Sequence, residues 1–317
     1  MRVLMWHVHG SYTTALVQGR HEYLLPTVPD RGPDGRGRAV TWDWPPSARE
    51  VSREECADLA VDVVICQRPE ELHGLAEQWL GGRRPGRDVP VVYLEHNAPQ
   101  GRISELRHPA ADRRDLTLVH VTHFNDLFWD AGSTRTRVVE HGIVDPGPRY
   151  SAGLASAAAV MNEPLRRGRV VGTDLLPRFA SVAPVDLFGM GTADVDIPGV
   201  SPQDDVVQED LHGALARRRV YLHPVRWTSL GLSLLEAMHL AMPVVALATT
   251  EVADVVPVEA GACSTDVDVL AKGLAALIAD PDLAVACGKR ARQVALARFG
   301  LQRFLTDWDR LFEEVVR

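Results

Sequence analysis

Short, uninterrupted runs of Val, Ile and Leu, separated by amphipathic stretches, most limit the folds open to this chain. Residues 2–8, 61–66 (VDVVIC), 89–94 (VPVVYL), 116–121 and 137–140 read as strands. Runs of this kind, with no polar alternation, suit parallel strands covered on both faces. Helix-like segments lie between them, notably 70–80 and 123–131. Strands alternating with helices predict a doubly wound α/β layer.

The pattern then breaks at Asp145-Pro146-Gly147-Pro148 and starts again. Strands are expected at 157–161, 185–188, 220–223 and 244–247, with helices at 172–180 and 231–240. Two further helices follow at 266–279 and 282–297. Phe299-Gly300 interrupts them, and a last helix carries Phe304, Trp308, Leu311 and Phe312 on one stripe. That stripe reads as core packing. The expected organisation is therefore two Rossmann-like halves, 1–149 and 150–300, with 301–317 packing back towards the first. Ligands of such sheets bind beyond the carboxyl ends of the strands, and the cleft facing both halves is the expected site.

Charge and cysteine usage exclude several function classes. The formal charge is −8, against the basic excess of most nucleic-acid binders. Of the 34 basic residues only Lys272 and Lys289 are lysine, a bias that fits a GC-rich genome. Cys56, Cys66, Cys263 and Cys287 form no C-x-x-C pair, which argues against structural zinc and a disulfide framework. No apolar run of about 18 residues and no leader are visible. A cytoplasmic location is expected. The basic clusters at 83–87, 113–114 and 217–219 leave a peripheral membrane contact open, with a solvated surface as the plainer account.

The stretch 224–246 carries the chemistry. A strand ends at His223-Pro224, a polar turn with Thr228 and Ser229 follows, and a helix opens at Gly231. Thr and Ser are good helix caps. A helix N-terminus offers free N–H groups to an anion, and Gly231 lets a ligand approach the backbone. Glu236 lies one turn after Leu232 on the same face. A carboxylate would repel phosphate but accepts hydroxyls well, such as the two of a ribose. These residues alone leave two readings open, a nucleotide diphosphate site or a capped helix with a solvated Glu.

The same stretch resembles the retaining GT-B glycosyltransferases of the Glu-x7-Glu, group 1 type. Gly231, Leu232, Glu236, Ala237, Met238, Pro243, Val244, Val245 and Ala246 match that signature at its spacing. Leu187-Phe188-Gly189-Met190-Gly191 resembles the turn near the nucleotide base. Asn162 and Arg167 stand where the family carries the Arg and Lys that grip the diphosphate, with Arg166 and Arg169 as spare cations. Glu140-His141-Gly142-Ile143-Val144-Asp145 and Tyr93-Leu94-Glu95-His96-Asn97 resemble the N-terminal domain's closing turn and the strand end that carries a His into the cleft. The resemblance implies metal-free transfer of a sugar from a UDP- or GDP-linked donor, without a cofactor. By association it also implies polysaccharide or cell-envelope assembly.

Some positions depart from the family. The first Glu of the signature is Thr228, the following Gly-Phe is Ser229-Leu230, and a later Gly is Ala241. Thr228 hydrogen-bonds but carries no charge. The resemblance assigns His96, His141, Thr228 and Arg167 to catalysis. It assigns His9, Gly10, Asn162, Arg166, Arg167, Met190, Gly191, Ser229, Leu230, Gly231, Leu232 and Glu236 to the donor. No metal site is expected among the many histidines, because neither His-x3-His on a helix nor His-Glu-x-x-His occurs. His120 and His123 read as structural. Acceptor choice is expected in loops 10–20, 30–49 and 98–115. Two alternatives stay open. One is a degenerate relative that binds nucleotide sugars without turnover. The other is a sugar-nucleotide epimerase using Glu95 and Glu140 as its carboxylate pair.

Overall fold

The computed structural model describes residues 1–317, the side chain of Glu209 excepted. It divides into two compact units, Met1–Val144 with Leu301–Arg317, and Asp145–Gly300. The Asp-Pro-Gly-Pro break therefore opens the second unit, where the sequence suggested a boundary at 149/150. The last helix is part of the first unit.

The first unit holds β1 (Arg2–Met5), β2 (Glu22–Pro26), β3 (Ala48–Val51), β4 (Val63–Cys66), β5 (Val91–Glu95), β6 (Thr117–His120) and β7 (Arg135–Val138). They form one parallel sheet in the order β3-β2-β1-β4-β5-β6-β7. The second unit holds β8 (Leu154–Val160), β9 (Val185–Gly189), β10 (Val200–Asp204), β11 (Arg218–His223), β12 (Val244–Leu247) and β13 (Gly261–Ser264). Its parallel order is β10-β9-β8-β11-β12-β13. Both units are Rossmann-like doubly wound sheets. In each the strand order reverses once, between β1 and β4 and between β8 and β11. Such reversals leave a crevice at the carboxyl ends of the flanking strands.

Central strands β4, β5, β6 and β12 are buried at every position, which accounts for their unbroken apolar sequence. The strands that the sequence pattern missed sit away from the sheet centres. β3 (AREV) and β10 (VSPQD) are edge strands with exposed polar positions, and Pro202 is tolerated on such an edge. β2 lies beside β3, and β13 (GACS) closes the other edge of the second sheet. β3 begins at the end of the expected loop 30–49, and a helix, Gly10–Leu16, falls within the expected loop 10–20.

Several helices are shorter than their periodicity suggested. The 70–80 segment is broken at His73 and Gly74, whose φ is +126°, and regular α-helix resumes only over Ala76–Trp79. The 123–131 segment stops at Phe128, because Trp129 turns extended and its indole N–H donates to the Asn97 carbonyl at 3.0 Å. The 172–180 segment is a 3-10 turn, Thr173–Leu175, followed by Leu176–Ala180. In the other direction, Pro281–Phe299 runs longer than expected, with Asp280 as its side-chain cap.

Candidate functional site

At the β8/β11 reversal of the second unit, four short segments meet the strand ends. Asn162 follows β8, and its Oδ1 accepts the Met190 N–H at 3.1 Å. The Glu163 N–H returns to the Met190 carbonyl at 2.7 Å. This tight turn depends on Gly189, at φ +131°, where a Cβ would lie 2.2 Å from the Met161 carbonyl oxygen. Gly189→Ala is expected to cost about 3 kcal/mol or more of stability, read as a lower urea midpoint at unchanged slope. Gly191 also has positive φ, and Met190 is an exposed apolar side chain beside it.

Arg166 pairs with Glu163, Nε to Oε2 at 3.0 Å. The Arg167 guanidinium has no carboxylate partner among the described residues. Partial burial, and then the neighbouring Arg166, disfavour its charge, so it stands as a cation in want of an anion. Arg169 and Arg226 share Asp174, at 2.9 Å each. The Arg226 and Trp227 N–H groups both donate to the Val170 carbonyl. These bonds pin the loop that leads through half-buried Thr228 to buried Ser229 and Leu230.

The helix Leu232–His239 starts at Gly231, not at Thr228 or Ser229, and no side chain caps it. Its first-turn amides therefore have no side-chain acceptor, the electrostatics of an anion site. One turn on, Glu236 is buried, with Oε2 at 3.4 Å from Gln208 Nε2 and 3.5 Å from His212 Nε2. Beneath Gly231 lies the His223 ring at the end of β11.

In the first unit the reversal between β1 and β4 carries a cluster of aromatic rings. The His9 and His96 rings are 4.1 Å apart, and Tyr12 meets His96 at 4.7 Å and His141 at 5.6 Å. Gln67, just past β4, donates its Nε2 to the Trp6 carbonyl at 2.7 Å, so its Oε1 faces His96 Nε2 at 2.8 Å. That places the proton of neutral His96 on Nε2. Burial, then His9 and His141, hold His96 well below the usual imidazole range. Burial, then His9 and Arg303, push His141 down to about 3, and neither of its ring nitrogens has a hydrogen-bond partner. His9 is lowered too, chiefly by burial. Arg303 of the last helix donates to the carbonyls of Glu140 and His141 and so fixes that loop. Gly10 opens its helix beside the Trp42 indole.

Glu95 is occupied. It accepts the Asn97 N–H at 2.6 Å and the His108 Nε2–H at 3.0 Å, while His108 Nδ1 accepts the Ala110 N–H. His120 is wholly buried in the sheet, but neither of its ring nitrogens has a hydrogen-bond partner, and His123 is exposed, so neither is the hydrogen-bonded structural histidine that the sequence suggested. Some arginines of the basic clusters are engaged within the fold, while Arg84 and Arg87 remain exposed. Arg83 donates to the carbonyls of Leu80, Ala57 and Leu59, Arg113 pairs with Asp115, and Arg218 pairs with Asp186. All four cysteines are free thiols. Among the described residues, no group of three or more His, Cys, Asp or Glu is placed to hold a metal, and no helix is long and apolar enough to cross a membrane.

Residues 203–294 match the family described as glycosyl transferases group 1. That span contains the Leu232–His239 helix, Glu236 and His212. Solved structures with similar architecture include a sucrose-phosphate synthase from Thermosynechococcus elongatus, at 14% identity over 99% of this chain and 98% of that one, TM-score 0.70. HepE of Anabaena in complex with UDP is similar at 12% identity over 99% and 100%, TM-score 0.71. A glycosyltransferase from Rickettsia africae is similar at 12% identity over 100% and 98%, TM-score 0.69. No curated protein matches the chain by sequence. The fold is that of the GT-B glycosyltransferases.

Within each unit of this GT-B fold, the sequence-derived residues gather at one place. Asn162, Arg166, Arg167, Met190, Gly191 and Thr228–Leu232 surround the β8/β11 reversal with Glu236, and His9, Gly10, His96 and His141 surround the β1/β4 reversal. Sequence reasoning passed over Tyr12, Gln67, Gln208, His212 and His223. Gln67 and His223 end or follow apolar runs, and the strand-end rule that selected His9 and His96 reaches them too. Gln208 and His212 come forward only when two helices are packed, since their single shared signal is the buried Glu236.

Proposed function

We propose that this protein is a retaining glycosyltransferase that moves a sugar from a nucleotide diphosphate-sugar to an acceptor hydroxyl. The observation that carries the proposal is the uncapped N-terminus of the Leu232–His239 helix, one turn before buried Glu236, with Arg167 in the turn that follows β8 and without a carboxylate partner among the described residues. The amides and Arg167 would hold the diphosphate, and Glu236 would accept the ribose hydroxyls. Met190 and Gly191 would lie against the base. HepE binds UDP and UDP-glucose, which supports a UDP-linked donor here, with GDP as the next choice.

In this reading the departing diphosphate is stabilised by dipoles and charge already in place, which is electrostatic catalysis. The sugar passes through an oxocarbenium-like state. On the retaining, front-face route the leaving phosphate oxygen takes the acceptor proton. No protein carboxylate is needed as a nucleophile, so Thr228 serves as a hydrogen-bonding neighbour of the donor sugar. Neutral His9 and His141 suit neutral hydroxyls, since a neutral imidazole offers one donor and one acceptor, while the Nε2–H of His96 is committed to Gln67. The epimerase alternative loses support because Glu95 is held by His108 and the Asn97 amide. Binding without turnover keeps Thr228 as its support.

The test is calorimetric titration of UDP, GDP, ADP and dTDP into the wild type and into Glu236→Ala and Arg167→Ala. One nucleotide is expected to bind, weakened at least about tenfold in each variant, or about 1.4 kcal/mol. Slow hydrolysis of the matching sugar donor is expected alongside. Absence of binding by all four would overturn the reading. Tight binding with no hydrolysis and no transfer would favour the non-catalytic one.

A further inference from the structure

His223 closes β11 at the strand-order reversal of the second unit, and its ring lies directly under the helix start. The point a Cβ would occupy on Gly231 is 2.7 Å from His223 Cε1 and 3.3 Å from Nε2. The imidazole is 2% exposed, and neither ring nitrogen has a hydrogen-bond partner. A buried donor and acceptor left unmet are costly, and such a cost marks a place that a ligand completes. Two independent observations thus meet at one point, an uncapped helix N-terminus and an unpartnered buried imidazole against its cap residue.

The surroundings of His223 contain little charge. Tyr221 of the same strand stacks on it at 6.2 Å, with its hydroxyl committed to Ser233 Oγ at 2.8 Å. Ala246 of β12 is its register partner, and Gly231 covers it from the helix. Glu236 of that helix is engaged by His212 and Gln208. Burial alone lowers His223, to about 4, with no charged group acting on it. The ring is therefore neutral at rest, and an anion placed on the helix start would be the first charge it meets.

We propose that His223 is the buried half of the anion site. When a diphosphate settles on the first turn of Leu232–His239, one proton passes from the buffer to the His223 ring. It returns to the buffer when the diphosphate leaves. The inference rests on the donor reading above. The added charge matches the bound diphosphate and disappears on release, so His223 acts as a positioning residue through the Gly231 backbone. A permanent cation there would hold the nucleotide product more tightly than a reversible one.

The experiment is calorimetry of UDP-glucose, GDP-mannose and ADP-glucose at pH 6.5, in buffers of different ionisation enthalpy. At pH 6.5 these sugar nucleotides carry no group that titrates, so any proton taken up there belongs to the protein. Wild type is expected to take up about one proton on binding at pH 6.5 and almost none at pH 9. His223→Gln is expected to lose the uptake and bind about tenfold more weakly at pH 6.5. His212→Gln is expected to keep the uptake. Binding without uptake, or uptake that persists in His223→Gln, would overturn this inference and leave the donor reading intact. If none of the three binds, the donor reading falls and this inference falls with it. The wild type also tests the idea unaided. Ring-nitrogen resonances of one buried histidine should shift from neutral to doubly protonated on binding, and their constancy would overturn it even if His223→Gln failed to fold.

Discussion

Lowering the pH from 7.5 to 5 is expected to unfold the first unit before the second, with a fall in its melting temperature of more than about 10 °C. Buried imidazoles set this result. His120 and His223 are pushed down to about 4, His141 to about 3, and His96 well below its ordinary value, burial being the largest cause for each. Unfolded, each would titrate near 6.5. Between these values the unfolded chain binds protons that the folded chain refuses. Stability is thus complete above pH 6.5 and lost as pH falls towards the folded values. At pH 5 His120 and His141 together cost the first unit up to about 4 kcal/mol and His223 costs the second about 2; His96, held well below its ordinary value, adds to the first, and His239, lowered chiefly by burial, adds to the second. A whole domain is commonly stable by about 5–15 kcal/mol. Carboxylates held low by arginine, such as Asp145 beside Arg292 and Asp174 beside Arg226, lose their contribution only at more acid pH. The check is hydrogen exchange with thermal melts at pH 7.5, 6 and 5. Unchanged protection of β1–β7 across that range would refute the assignment of these histidines as buried and neutral.

The central sheet was legible in the sequence because burial on both faces leaves only one residue class for a strand like Val63–Cys66 or Val244–Leu247. Edge strands obey a looser rule. Nothing in Val200–Asp204, with its Ser, Pro and Gln, distinguishes it locally from a turn, and only pairing with β9 makes it a strand. Helix lengths failed for a different reason. Apolar periodicity survives a kink, so the 70–80 segment looked continuous although Gly74 turns the backbone out of the helical region.

At the candidate site, the backbone features were more legible than the side-chain partners. Gly189, Gly191 and Gly231 are read from sequence because only backbone geometry is asked of them. The cap was misplaced by the same logic. Thr228 and Ser229 have the right chemistry for capping, yet the chain enters the helix at Gly231, which leaves its amides open to a ligand. Partners such as Gln67 for His96, or His212 for Glu236, come from remote or neighbouring elements whose packing no local pattern encodes.

Trp308→Ala is expected to destabilise the first unit by about 3–5 kcal/mol while the β8/β11 site keeps its nucleotide affinity. The last helix completes the first unit's core from a distant part of the chain, with Phe304, Trp308, Leu311 and Phe312 buried on its inner stripe. The Trp308 indole N–H donates to the Tyr12 hydroxyl at 3.0 Å, and Phe304 meets the Tyr12 ring at 5.3 Å. Removing the indole opens a cavity and strips a buried hydroxyl of a partner. It also frees the ring that packs on His96 and His141. Trp308→Phe keeps most of the volume and loses mainly the hydrogen bond, at about 1 kcal/mol. In hydrogen exchange, amides of β1–β7 should lose protection in Trp308→Ala, while those of β8–β13 keep theirs. If the histidine cluster acts as proposed, transfer should fall with its disorder even where nucleotide still binds. Loss of nucleotide affinity in parallel with protection of β1–β7 would refute this prediction.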